Sequence, residues 1–237
     1  MGINLTKLSH DIISAYFKDK PIFCAVDATV GNGHDTLFLA QNMAKCGIVY
    51  GFDVQKQAVE SCLNLLRDSG KDSNAMIFLD GHQNMSKRVG TDFMRRICNG
   101  QFKGVESYEN LERQIGRDKI LNEADFSKNL ENRTITGIVD CIVFNLGWLP
   151  KSDKSIITKS ETTIEALSQS LSLMNQDAIM NVLSYRAHEG GREEFESVEN
   201  FFALHESRIS LEKYFDSGNV DSPVLFSIKM RKNVKKS

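Results

Sequence analysis

Four short apolar runs, each closing on a polar residue, govern what this chain can fold into. Residues 22–26 close on Asp27, 48–52 on Asp53, 75–79 on Asp80 and 137–144 on Asn145. Runs that are apolar throughout, rather than alternating, belong to parallel strands covered on both faces. Helical spacing fills the gaps. Leu5, Leu8, Ile12, Ile13 and Phe17 make one stripe over residues 4–18, and Ala58, Val59, Cys62, Leu63 and Leu66 make another over 56–68. Further helices are expected at about 34–45, ended by Gly47, at 160–174 and at 191–205. A fifth strand is expected over 178–183. Two more, near 208–215 and 223–230, have no helix between them and should form an antiparallel hairpin at the sheet edge. The pattern predicts an α/β fold: a Rossmann-like, doubly wound, mostly parallel seven-stranded sheet with helices on both faces.

At 237 residues the chain suits one domain over 1–237 with an insertion. The insertion is expected at about 86–136, between the third and fourth strands, where charges and glycines replace clear periodicity. Lys87, Arg88, Arg95, Arg96 and Lys103 cluster in its first half. It reads either as a surface excursion with short helices or as a lobe that touches substrate. A composition of 41% hydrophobic and 25% charged residues excludes a disordered chain. The net charge of −2 excludes a strongly basic nucleic-acid coat protein, but not an enzyme with a local basic rim. Cys24, Cys46, Cys62, Cys98 and Cys141 are scattered and never paired as C-x-x-C, which argues against a zinc ribbon or disulfide framework. No apolar stretch is long enough to cross a membrane. The expectation is a cytoplasmic protein with neither membrane nor metal partner.

In open α/β sheets, ligands bind beyond the carboxyl ends of the strands. The first such end reads Asp27-Ala-Thr-Val-Gly31-Asn32-Gly33-His-Asp35-Thr36. Gly31 and Gly33 allow a tight turn, and the next helix aims its amides at whatever lies there. A dinucleotide fingerprint wants a third glycine where Thr36 stands. Asp27 suits a ligand carrying an ammonium group, such as S-adenosylmethionine. Asp53, at the second strand end, can accept both hydrogen bonds of a ribose diol; its ordinary alternative is a helix cap. Gln55 lies one step further along, and Gly81-His82 mark where an adenine edge would sit.

The fourth strand end reads Asn145-Leu146-Gly147-Trp148-Leu-Pro150-Lys151. An amine nucleophile needs its hydrogens accepted so that its lone pair is aimed. The Asn145 side-chain oxygen and the Leu146 carbonyl could accept them, Trp148 could stack on a base, and Lys151 could meet phosphate. The fifth strand exits into Tyr185-Arg186-Ala-His188-Glu-Gly-Gly, either an active-site rim or an ordinary turn. His188 and His82 are candidate proton acceptors, as is water.

Four stretches, 27–40, 50–55, 144–158 and 184–194, resemble the rRNA methylase family typified by YtqB/MnmM. The resemblance implies a class I S-adenosylmethionine-dependent methyltransferase. It implies methyl transfer to the 5-aminomethyl group of a tRNA wobble (thio)uridine, with the anticodon stem-loop as partner. It also implies that Asn32, Asp35, Asp53, Gln55, Gly81 and His82 line the cofactor and that 145–150 line the target amine. This chain departs in three places: Trp148 replaces a Tyr, Gly81 replaces a Ser, and the family lacks most of 86–136. An rRNA or small-amine acceptor, a nicotinamide-dependent oxidoreductase, a non-catalytic RNA-binding factor and a homodimer stay open.

Overall fold

The computed structural model describes residues 3–103, 136–147, 157–215, 219 and 221–231. Helix α1 (Leu5–Tyr16) precedes a regular alternation: β1 (Ile22–Asp27), α2 (His34–Asn42), β2 (Met43–Asp53), α3 (Lys56–Asp68), β3 (Ala75–Leu79), α4 (Met85–Cys98) and β4 (Val139–Leu146). Then come α5 (Ser160–Leu173), β5 (Met174–Ser184), α6 (Gly191–Leu204), β6 (Ile209–Phe215) and β7 (Val224–Met230).

The seven strands lie in the order β3-β2-β1-β4-β5-β7-β6. β1 to β5 are mutually parallel, and β7 runs antiparallel between β5 and β6. The chain reverses its direction of travel across the sheet at the β1/β4 boundary, and a crevice opens there. Register brings the polar strand ends to one rim: Asp27 stands beside Val143, Asp53 beside Leu79, and Asn145 beside Leu183.

Alternate residues of the same strands feed two cores. Val26, Tyr50, Phe52, Ile142 and Phe144 face one side with Phe93 and Phe202, while Ala25, Val49, Cys141 and Val143 face the other with Leu39 and Leu66. Burial on both faces is why these strands read as unbroken apolar runs. Each fully buried Phe or Leu adds about 1.5–3 kcal/mol of transfer free energy. Helix α1 starts with Asn4, whose side chain accepts from the Lys7 amide at 2.9 Å. Its Leu5 packs on Leu183 and Leu225, and Ser9 meets Asn181 of β5 at 2.9 Å. This docking sets the helix over the rim of the sheet.

Two expectations change. Helix α2 stops at Asn42, and Gly47 lies inside β2 rather than ending a helix. The irregular register opposite Ile22–Cys24 lets β2 start early, and Asp140 takes up the Phe23 and Cys24 amides at 2.8 and 3.0 Å. The first part of the expected insertion is a regular crossover helix, α4, with Val89, Phe93, Met94 and Ile97 buried. Its charges hid that stripe. Arg88 is paired with Asp80 at 2.7 Å and Arg96 with Asp92 at 2.5 Å. Residues 104–135 lie outside the described residues. Cys24, Cys46, Cys62 and Cys141 are free thiols.

Candidate functional site

A cleft of about 700 Å³ opens over the carboxyl ends of β1 to β5. That size suits a small organic ligand or cofactor. One half is made largely of backbone. The loop after β1 folds over the sheet through Ala28 N to Val143 O at 2.9 Å, Val30 N to Phe52 O at 3.0 Å and Gly33 N to Val30 O at 2.8 Å. Gly33 has a φ of 82°, and a β-carbon there would lie 2.8 Å from Cys62 Cα. Only glycine lets α2 start this close to α3.

Asp53 ties this half together. Its Oδ2 accepts from the Gly31 amide at 2.9 Å and its Oδ1 from the Gln55 amide at 2.8 Å. Burial raises this carboxyl above its ordinary value, against the pull of those amides. The residue lines the cleft. Gly31, Asn32, Asp35, Gln55, Gly81 and His82 also line it. His82 is nearly buried, with Nδ1 3.1 Å from Ala28 O, and burial pulls its ring below the ordinary histidine range. A neutral ring held by a carbonyl orients the loop.

The other half is made of side chains. Asn145, Leu146, Gly147 and Tyr185 line it, joined by Thr158, Lys159 and Thr162. The Asn145 amide nitrogen of the backbone donates to Thr29 Oγ1 at 2.6 Å, and its side-chain Nδ2 donates to Asp35 Oδ2. The other Asp35 oxygen lies 2.5 Å from His10 Nε2, and the His10 ring stacks on Phe38 at 3.8 Å. Gly147, with a φ of 139°, donates to Thr158 Oγ1 at 2.9 Å and accepts from the Thr158 amide at 3.0 Å. Thr158 in turn donates to Glu194 Oε2 at 2.7 Å. Glu194 is only 2% exposed, and its other oxygen takes the Thr163 hydroxyl at 2.7 Å.

Four expected site residues take other places. Asp27 is fully buried beneath the loop, accepting from Thr36 Oγ1 at 2.6 Å and the Thr29 amide at 3.1 Å. It braces the loop instead of meeting an ammonium group. Burial first, and the nearby Asp35 carboxylate second, push its carboxyl up to about 7. Thr36, standing where a dinucleotide loop would have glycine, is the residue that satisfies it. Gly33 packs on α3 and is off the cleft wall. Arg186 donates twice to Ser222 O, at 2.9 and 2.7 Å, and lies over Phe195, so it ties the β5 exit to the segment before β7. His188 lies against Gly147 and Gly191 and is not among the residues lining the cleft, with Nδ1 2.8 Å from Glu189 O. Trp148, Pro150 and Lys151 lie outside the described residues.

Sequence reasoning missed Thr6, which lines the cleft from α1, and also His10, Thr158 and Glu194. Glu194 did leave a signal: an acid in register with Val198, Phe201 and Phe202 on the buried face of α6. His10 left none, because its partner is 25 residues away. Among the described residues, no group of three or more His, Cys, Asp or Glu side chains is placed to hold a metal ion, and no helix is long and apolar enough to cross a membrane.

A crevice at the sheet's switch point recurs throughout open α/β folds; a seven-stranded sheet whose β7 runs antiparallel between β5 and β6 is the class I methyltransferase arrangement. The "Putative rRNA methylase" family model matches residues 49–99 and 106–228. The chain belongs to this family. It is 28% identical to a "putative rRNA-methylase" from Clostridium thermocellum, with a TM-score of 0.73 over 98% of this chain and 100% of the other. It is 25% identical to a "putative methyltransferase" from Streptococcus mutans in complex with SAH, with a TM-score of 0.65 over 98% and 100%. Over 181 residues, 74% of this chain, it is 31% identical to the chloroplastic tRNA (mnm(5)s(2)U34)-methyltransferase of Arabidopsis thaliana. The chain spans about half (51%) of that relative's length.

S-adenosylmethionine fits the residues present. Asp53 would be the residue to meet a ribose diol, the turn at Gly31–Asn32 would let the ligand approach the backbone, and the amide end of α2 would face its charged portion. The class is that of S-adenosylmethionine-dependent methyltransferases.

Proposed function

We propose that this chain methylates the exocyclic 5-aminomethyl nitrogen of a tRNA wobble uridine or thiouridine, giving the 5-methylaminomethyl form. The observation that carries the reading is Asn145 at the end of β4. Its amide nitrogen is engaged by Asp35, and the residue lines the same cleft as Asp53. The side-chain oxygen is left to accept a hydrogen from an amine. The similarity to the Arabidopsis enzyme supports the same choice of acceptor.

S-adenosylmethionine supplies a methyl group already activated on a sulfonium. The protein's work is therefore to hold nitrogen and carbon about 3–3.5 Å apart and in line. Asn145 Oδ1 and the Leu146 carbonyl accept the amine hydrogens and turn the lone pair toward the methyl carbon. The nitrogen forms the new C–N bond as the C–S bond breaks, the sulfur keeps the electron pair, and the surplus proton leaves to water. The site binds the neutral amine, since an ammonium has no lone pair to give. Lys159 on the cleft wall supplies positive charge near an RNA backbone.

Nucleoside mass spectrometry tests the reading, after incubating the protein with S-adenosylmethionine and tRNA carrying wobble 5-aminomethyl-2-thiouridine. The expected result is one methyl gained on that nucleoside. Cofactor binding without methyl gain there, and gain on an rRNA fragment or a small amine, would overturn the acceptor.

A further inference from the structure

We propose that Asp35 is a positioning residue for Asn145, with His10 of α1 holding Asp35 in place. This rests on the proposed role of Asn145 as acceptor for the target amine. An asparagine amide has two ends of similar shape and opposite polarity. Turned one way, it presents an oxygen that accepts an amine hydrogen. Turned the other way, it presents an NH2 that faces the amine's own hydrogens and rejects them. Something must choose, and a carboxylate can only accept. Asp35 Oδ2 takes Asn145 Nδ2, so Oδ1 is the end left for the cleft.

The carboxylate is itself held on two sides. His10 Nε2 lies 2.5 Å from Asp35 Oδ1 and therefore carries the hydrogen toward it. The His10 ring lies flat on Phe38, at 3.8 Å and 3°, one turn along α2 from Asp35. Asp35 and Phe38 belong to the same helix, so α1 grips α2 through one bond and one stacked ring. The backbone of Asn145 is pinned separately by Thr29 Oγ1. What Asp35 adds is the rotation of the amide. A terminal helix that carries no strand of the sheet thereby reaches the reacting end of the cleft through two side chains.

A direct cofactor ligand would act differently from a positioning residue. Asp35→Asn can offer an NH2 or an oxygen to Asn145 and so no longer selects one orientation. The expected result is a fall in kcat on the order of tenfold to hundredfold, with the KM for tRNA and the calorimetric affinity for S-adenosylhomocysteine unchanged. The double variant Asp35→Asn/Asn145→Ala should be no slower than Asn145→Ala alone, because the two act through one group. His10→Phe keeps the ring on Phe38 and removes only the Nε2 bond; it should lose less than Asp35→Asn, in kcat alone. Side-chain NH2 signals in 15N-labelled protein give a readout that needs no acceptor. Asn145 should show a slowly exchanging pair in the wild type that becomes fast-exchanging in Asp35→Asn.

Loss of S-adenosylhomocysteine affinity in Asp35→Asn would overturn the proposal and make Asp35 a cofactor ligand. Multiplicative losses in the double variant, or an Asn145 NH2 signal indifferent to Asp35→Asn, would overturn it as well. Failure of the wild type to methylate the wobble nucleoside would instead reject the proposed acceptor, and the NH2 signal would still decide whether Asp35 orients Asn145.

Discussion

The two halves of the cleft are built from different materials. Over β1 to β3 the wall is mostly backbone: a glycine turn, a helix start, and amides gathered by one carboxylate, Asp53. Over β4 and β5 it is a web of side chains: His10 to Asp35 to Asn145, and Gly147 to Thr158 to Glu194. On the proposed function the difference follows the ligands. A cofactor common to many enzymes can be held by generic backbone geometry. A single nucleoside amine as acceptor would have to be aimed, and aiming takes side chains whose orientation is set by other side chains.

Separate damage to each half is the way to break this comparison. The largest effect on cofactor binding is expected from Asp53→Ala. If Asp53 holds the ribose diol, the change would remove charge-assisted hydrogen bonds each worth about 1.5–3 kcal/mol, and it frees the Gly31 and Gln55 amides. S-adenosylhomocysteine affinity by calorimetry should drop roughly 100-fold or more. A change of less than a few-fold would mean that the diol is held elsewhere.

The acceptor half should answer in stability and rate, with affinity spared. Glu194→Ala leaves the buried Thr163 hydroxyl without its partner and loosens Thr158, at a cost of about 1–3 kcal/mol in urea unfolding. Thr158→Val, which loses the side-chain bonds to Gly147 and Glu194, should lower turnover at a smaller stability cost. Weakened cofactor binding in either variant would erase the division between the halves.

The smallest effect concerns pH and sharpens the role of Asp27. Folded, this acid keeps its proton up to about 7, where the unfolded chain has long released it. Its contribution to stability is therefore present at acid pH and is lost as pH rises from the ordinary carboxylate range to about 7. Asp53 and Asp140, also raised, push in the same direction. Asp27→Asn should flatten this decline in denaturant titrations run between pH 4 and 7. An unchanged slope would mean that Asp27 is ionised in its pocket.

The same division explains what could be read in advance. The strand runs, their polar ends, the edge hairpin and the positions of Asp53 and Asn145 all depend on short windows of sequence, and the structure places them on one rim. Helix α4 escaped because Lys87, Arg88, Arg95 and Arg96 dilute a stripe that Val89, Phe93, Met94 and Ile97 nonetheless form. The end of α2 escaped because Gly47 looks like a stop, when the irregular pairing beside β1 had already drawn the chain into β2. Asp27 looked like a ligand because only the fold reveals Thr36 turned toward it. The Asp35–Asn145 bond spans 110 residues and the Thr158–Glu194 bond 36. No local pattern encodes such pairs; they become visible only when the strand ends meet.

The most direct test of the account is Asn145→Ala, read two ways on the same protein. Single-turnover methyl transfer to tRNA bearing wobble 5-aminomethyl-2-thiouridine should slow by roughly 100-fold, the scale set by losing alignment of the reacting atoms. Affinity for S-adenosylhomocysteine should stay at the wild-type value. A parallel fall in both would contradict the account, because it would place Asn145 on the cofactor and leave the amine without its acceptor.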